Sequence, residues 1–508
     1  MESLALLAGG VVDATAPYIL LATLIGVVIG LMVGALPGLG PAAGVAIMLP
    51  VAVGFDGTAA IAALAGIYYG AMFGGAVTSI LLGIPGDAPS VMTVVDGHAM
   101  AKKGEAGRAL SMNVIASFIG GLIGILLLAI LSVPIASAAL SFGPTEMTAL
   151  MCFALSLVSV LGGRNMLKGF VSLFIGMWIG MIGLDPIGGP TRFTFGTMHL
   201  FEGVDFTIVA VGLFGLSEMF MSLSTSGIGA RVKHSLSALM PKLGDIVRCK
   251  WALLSGSIIG FVVGVLPGVG ATASTMLAYA LAKKTSRHPE EFGKGAIQGV
   301  AAPEAANNAA SYASMIPLFT LGIPGSATTA VLLGGLLMVG LQPGPLLFAN
   351  NPEFVWTVFG TFWTGNLMLV GLTILLIPVL ASIVYISRGL LYPAVIGIVV
   401  FGVYSINFSL NDVGIALFAG VIGFVMLKLD YSPVPLILGL VLGPLLERGV
   451  RRTLILSEGD MAVFVERPIS LFLFVLTAAV IFLPLIVNGV KAARTRRGLA
   501  DAMENDAR

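Results

Sequence analysis

The feature that most limits how this chain can fold is a break that occurs twice, first as Gly34-Ala35-Leu36-Pro37-Gly38-Leu39-Gly40 and again as Gly264-Val265-Leu266-Pro267-Gly268-Val269-Gly270. Both copies interrupt an apolar segment. Proline removes a backbone donor and clashes with the preceding turn, and glycine releases the chain from helical geometry, so neither segment runs through as one helix. Backbone groups freed at membrane depth are tolerated only where protein or a water-filled cavity satisfies them, so matched breaks point to a cavity inside the membrane. A second pair, Gly83-Ile84-Pro85-Gly86 and Gly322-Ile323-Pro324-Gly325, follows in the same order. The two offsets agree to within a small insertion, the mark of a duplicated unit. Pro and Gly are common in membrane helices, but chance placement does not reproduce two pairs in order.

Composition fixes the class. Of 508 residues 57% are hydrophobic and only 10% charged, which is too apolar for a soluble globular protein. Stretches such as 115–131 and 469–487 are almost continuously apolar, unlike the alternating strands of an outer-membrane barrel, so the expectation is an all-α polytopic membrane protein. A net charge of +1 gives no reason to expect nucleic acid, and Cys152 and Cys249 stand apart, suggesting neither a disulfide framework nor a thiolate metal site. The start lacks the basic region of a secretory signal and is expected to be retained.

Charge gives an orientation. Residues 1–17 carry Glu2 and Asp13 without Lys or Arg, whereas 231–250 carry Arg231, Lys233, Lys242, Arg248 and Lys250, so the N-terminus is predicted outside and this linker in the cytoplasm. The second half then begins on the side opposite to the first. Equivalent loops agree: 102–108 is basic and 341–353 is not, while 283–294 is basic and 53–58 holds only Asp56. Opposite charge at equivalent positions predicts two inverted-topology repeats, 1–230 and 251–467, joined by the 231–250 linker and followed by a final span, 468–490, and a cytoplasmic tail, 491–508. Residues 251–282 are too short for two full spans, so a re-entrant hairpin is expected, with its counterpart across Pro37-Gly38 entering from the other face and the two meeting near the midplane. Arg448, Arg451 and Arg452 follow a short apolar run, 434–446, and are read as a loop that charge does not assign to one side.

Restarted helices would expose N–H groups suited to an anion, which makes Gly38, Gly40, Gly86, Gly268, Gly270, Gly325 and Ser326 candidates for holding a carboxylate; Pro41, Asp87, Thr272 and Ser326 mark the expected restarts. Asn307 and Asn308, in Pro303-Glu304-Ala305-Ala306-Asn307-Asn308, are costly facing lipid and are read as solute contacts or as structural glue. Hard oxygens for a coupling cation are offered by Thr78, Ser79, Ser274, Thr328 and Thr329, and by the carboxylates Asp87 and Glu304, with capping or interhelical packing as the alternative. Neither an H-E-x-x-H nor a G-x-S-x-G motif occurs. A secondary transporter fits better than an anion channel, which would need a repeated filter, or an intramembrane enzyme.

The paired Leu-Pro-Gly breaks, the Gly-Ile-Pro-Gly pair, Pro-Glu-Ala-Ala-Asn-Asn-Ala-Ala at 303–310 and Leu-Glu-Arg-Gly-Val-Arg-Arg-Thr at 446–453 resemble the large membrane subunit of the bacterial tripartite tricarboxylate transporter family, over nearly the whole chain. The resemblance implies secondary uptake of a carboxylate across the bacterial inner membrane, coupled to Na⁺ or H⁺. It also implies a periplasmic solute-binding protein and a small membrane subunit as partners, with a homodimer of the complex as a further expectation. No organic cofactor is expected.

Overall fold

The computed structural model describes residues 2–36, 38–52, 54–161, 165–185, 188–224, 242–268, 270–383 and 388–486. Pro37, most of the linker and the C-terminal tail therefore lie outside the described residues. The first half runs α1 (Glu2–Asp13), α2 (Pro17–Gly34), α3 (Pro41–Ala52) and α4 (Gly57–Leu82). After the second break come α5 (Val91–Thr93), a π turn (Val94–His98) and α6 (Ala99–Lys102), then α7 (Ala106–Leu140), α8 (Pro144–Leu161) and α9 (Met166–Gly180). A two-residue ribbon, Gly183–Leu184 antiparallel to Thr191–Arg192, precedes α10 (Phe206–Ala210), a π turn (Val211–Leu216) and α11 (Ser217–Ser224).

The second half runs α12 (Leu243–Gly264), α13 (Gly270–Thr285), α14 (Gln298–Ala313), α15 (Met315–Leu321), then, past the Gly-Ile-Pro-Gly break, α16 (Ala327–Met338). It continues with α17 (Pro345–Asn350), α18 (Pro352–Ile383), α19 (Arg388–Asn407), α20 (Leu410–Lys428), α21 (Pro433–Leu456), α22 (Val463–Glu466) and α23 (Pro468–Ile486). Among the described residues ten helices are long and apolar enough to cross a membrane, so this is an all-α, multi-pass membrane protein. Of the linker expected at 231–250, residues 243–250 form the start of α12, and 231–241 lie outside the described residues.

Small residues set the packing. Gly26, Gly30 and Gly34 of α2 lie against the backbone of Ala63, Ile67 and Ala71 in α4; Gly256, Gly260 and Gly264 of α12 lie likewise against Ala302, Ala306 and Ala310 in α14. At Gly256 an added methyl carbon would sit 2.5 Å from the Ala302 carbonyl oxygen. Lipid offers no hydrophobic force between helices, so close backbone approach through small residues supplies the attraction. The two glycine rows are related by the offset of the first break pair, and the facing rows by the offset of the second. Contact numbers rise together in each case, so α2 is parallel to α4 and α12 to α14.

The two helices that the other elements wrap are α4, of 26 residues and buried throughout its apolar window, and α14, of 16 residues and buried from Gly299 to Ala313. They run antiparallel: Tyr68 bonds Ser314 at 3.1 Å, the Tyr69 ring stacks on Tyr312 at 5.7 Å, and the Asn307 amide reaches the Met72 carbonyl at 3.5 Å, numbers falling on one as they rise on the other.

Helix α7, 35 residues and so about 52 Å long, separates two polar ends. At its start Arg108 grips Asp245 (2.6 and 2.9 Å), Lys103 reaches the Lys294 carbonyl (2.6 Å) and Arg248 pairs with Glu291 (2.7 Å). At its far end Glu146 accepts from Arg467 (3.1 Å), Gly449 packs beside Thr148, and Asp185, Arg192, Glu447 and Arg451 form one ion network. The Glu447 carboxylate, then Asp185, raise the Arg192 guanidinium further above its ordinary pKa. The arginines around 448–452, which charge does not assign to one side, thus belong to the end of α7 opposite Lys103 and Arg108. They end a long helix rather than form a loop, and carboxylates pair Arg451 there.

Candidate functional site

Both first breaks take the form their residues dictate. Helix α2 stops at Gly34 and α12 at Gly264, and Gly38 (φ 87°) and Gly268 (φ 82°) occupy the left-handed region that side chains avoid. The second breaks match as closely: Gly83 (φ 70°) and Gly322 (φ 71°) are left-handed caps of the helices they end. Within each half the two breaks touch. The Gly268 N–H donates to the Gly325 carbonyl at 3.0 Å, and Gly86 lies so near Gly34 that a methyl group would fall 2.5 Å from its carbonyl oxygen.

The expected meeting of the two hairpins takes a different form. Hairpin helix α3 packs on α16, which follows the other half's second break, and α13 packs on α5, which follows the first half's second break. The halves therefore interlock crosswise around the α4–α14 pair. Helix restarts differ in quality. Pro41 opens α3, and Gly270, with φ 67°, opens α13 ahead of Thr272. Ser326 caps α16 through a reciprocal box, accepting from the Thr329 N–H at 3.2 Å while the Thr329 hydroxyl accepts from the Ser326 N–H at 2.7 Å. Thr328 is buried in the first turn.

Asp87 does not start a helix. Its carboxylate accepts from the Ser90 N–H at 2.9 Å, closing a turn, and the helix resumes only at Val91. Ser90 Oγ lies 2.9 Å from Ser79 Oγ, and Asp87 Oδ2, buried, has no hydrogen-bond partner among the described residues. Thr78 and Ser79 both donate to the Gly75 carbonyl (3.1 and 2.9 Å), and Ser274 donates to the Ala271 carbonyl (2.7 Å), the local hydroxyl-to-backbone bonding of residues inside helices.

A buried polar stripe runs along α14, where Glu304, Asn307, Asn308 and Ser311 share one face by helical spacing. Thr93 of α5 and Ser117 of α7 (3.5 Å) donate to the two oxygens of Glu304, and Ser117 also lies 3.2 Å from Asn113 Oδ1. Asn308 donates to the Glu304 backbone carbonyl at 3.1 Å. The amide oxygens of Asn307 and Asn308, the Tyr312 hydroxyl and Asn113 Nδ2 are buried without partners among the described residues. Sequence reasoning missed Thr93, Asn113 and Ser117. Asn113 and Ser117, one turn apart in an apolar helix, were the available signal.

A family model described as the tripartite tricarboxylate transporter TctA family matches residues 20–438. The chain belongs to that family. An uncharacterized 52.8 kDa protein from the TAR-I ttuC′ 3′ region of Agrobacterium vitis is 40% identical over 443 residues, covering 87% of this chain and 88% of that one. An uncharacterized protein from the TAR-II ttuC′ 3′ region of the same organism is 41% identical over 227 residues, 45% of this chain and 94% of that one. No solved structure matches. The TctA family is a transporter family, so this multi-pass protein is a component of a tripartite transporter and not an enzyme. A tripartite assembly implies further subunits, such as a small membrane protein and a periplasmic binding protein.

Proposed function

We propose that this chain is the translocating subunit of an ion-driven carboxylate importer in a bacterial inner membrane, with its N-terminus in the periplasm and its C-terminus in the cytoplasm. A periplasmic binding protein delivers the solute, the small membrane subunit accompanies the chain, and the complex pairs as a homodimer. Transport proceeds by alternating access between two inverted repeats. The observation that carries this reading is the crosswise interlock: each half places its paired breaks beside the other half, around α4 and α14, which each follow a first break, lie against matching glycine rows and run antiparallel. Antiparallel equivalents are what inverted repeats require, and broken helices around a buried polar stripe are how secondary transporters hold solute and ion at mid-depth.

The N–H groups at the starts of α3, α13 and α16 are the proposed anion donors, with Gly38, Gly40, Gly86, Gly268, Gly270, Gly325 and Ser326 shaping the approach. The stripe, with Asp87, Thr78, Ser79, Ser274, Thr328 and Thr329 around it, faces the coupling ion. The test is uptake by proteoliposomes holding both membrane subunits, with purified binding protein and labelled tricarboxylate outside. Accumulation under an imposed Na⁺ or H⁺ gradient without ATP is expected. Strict dependence on ATP hydrolysis contradicts the proposal, and passive flux at channel rates favours a channel.

A further inference from the structure

We infer that Glu304, with the side-chain amide oxygens of Asn307 and Asn308, forms an all-oxygen site for one dehydrated sodium ion. This rests on the reading of the chain as an ion-coupled transporter and narrows it to named atoms. Glu304 is fully buried, and among the described residues no Lys, Arg or His pairs with it. Its partners are the hydroxyls of Thr93 and Ser117 and the side-chain amide of Asn307, all neutral, which orient the carboxylate but leave its charge unbalanced. A buried, unpaired carboxylate is costly, and a bound cation removes that cost.

The amides point to the same ligand. Asn308 Nδ2 donates to the Glu304 backbone carbonyl, and this fixes its orientation, because the flipped amide would set oxygen against oxygen. Asn307 Nδ2 lies 3.5 Å from the Met72 carbonyl, and the same side-chain amide hydrogen-bonds the Glu304 carboxylate. Both NH₂ groups therefore have acceptors, and the amide atoms left without partners among the described residues are the two oxygens. Free acceptors repel a solute carboxylate and attract a cation, so these asparagines move from the expected solute contacts to the ion. Asn307 and Asn308 each lie about one turn beyond Glu304, so the three side chains share one face of α14. Of the three proposed ligands only Glu304 is charged, so the set balances one positive charge, whereas calcium sites draw on several carboxylates and magnesium keeps much of its water. The buried Asp87 carboxylate acts on Glu304 from nearby and adds to the attraction for a cation.

The experiment measures binding of radioactive sodium to the purified full-length chain in detergent at fixed pH, with choline as the ionic-strength control. Saturable binding is expected, competed by unlabelled sodium and not by choline. Glu304→Gln, which keeps an acceptor for one of the two hydroxyls while the other can turn to accept from the amide, should weaken binding about 10- to 100-fold, the effect of losing one charge-assisted contact. Asn308→Ala and Thr93→Val should each weaken it about 3- to 10-fold, and either serves if Glu304→Gln fails to fold. No sodium binding to the unaltered chain, or unchanged affinity in folded variants, overturns the site. The transport reading fails separately. Carboxylate uptake driven by protons in sodium-free buffer, with no sodium bound, removes the site and keeps the transporter. Sodium binding that depends on Glu304, with no carboxylate flux under any gradient, keeps the site and removes the transporter.

Discussion

The breaks were legible residue by residue because Pro and Gly act through their own backbone chemistry, whatever surrounds them. Gly38, Gly83, Gly268 and Gly322 all take left-handed φ values, but Gly40 does not, and a methyl group there meets nothing within 4 Å. The pair Gly38 and Gly40 therefore separates a strained position from a merely small one. Gly38→Ala should destabilise the protein by about 1 to 2 kcal/mol, the cost of a side chain in the left-handed region, while Gly40→Ala stays within about 0.5 kcal/mol; thermal unfolding of the purified variants checks both. Asp87 was harder to read. Following Gly86 it looked like a helix start, but Pro89 and the Asp87–Ser90 turn delay the helix to Val91. The polar partners of Glu304 were not legible, since Thr93 and Ser117 come from distant parts of the chain and no spacing rule links them to residue 304.

Among the elements, the restart at Ser326 was visible as a capping serine ahead of an apolar run, and its box with Thr329 fulfils that chemistry. Ser326→Ala should cost about 1 kcal/mol, seen as a lower unfolding temperature, and Ser326→Asn should restore most of it. The glycine rows of α2 and α12 were present in the sequence yet passed over, because a spacing of four in a glycine-rich membrane helix gains meaning only when its partner is known. Gly260 faces Ala306 backbone in a contact with no room for a side chain. Gly260→Leu should pry α12 from α14 and cost about 3 kcal/mol or more, with lower folded yield in membranes; normal yield and stability would mean that this contact does not hold the hairpin. The end of α21 was misread for a related reason. Arginines after a short apolar run imitate a loop, whereas Glu447 and Asp185 pair with Arg451 and let the helix continue to Leu456.

At the scale of the whole molecule, the all-α membrane class and the order of breaks could be read from the chain, but the crosswise packing of α3 on α16 and of α13 on α5 could not, since it depends on how the two halves face each other. The structure groups the loops by end, and labelling fixes which end is which. In a variant with Cys152 and Cys249 replaced by serine, Lys102→Cys and Arg287→Cys should react with an impermeant thiol reagent only from the cytoplasmic side, and Arg452→Cys only from the periplasmic side. Labelling of all three from one side would break the topology. The central claim, that an ion gradient alone drives a carboxylate through this chain, is tested most directly in proteoliposomes holding both membrane subunits, supplied with binding protein and labelled tricarboxylate and lacking ATP. The account predicts accumulation that follows the imposed Na⁺ or H⁺ gradient and collapses when the gradient is dissipated. Equal uptake with and without the gradient would contradict it.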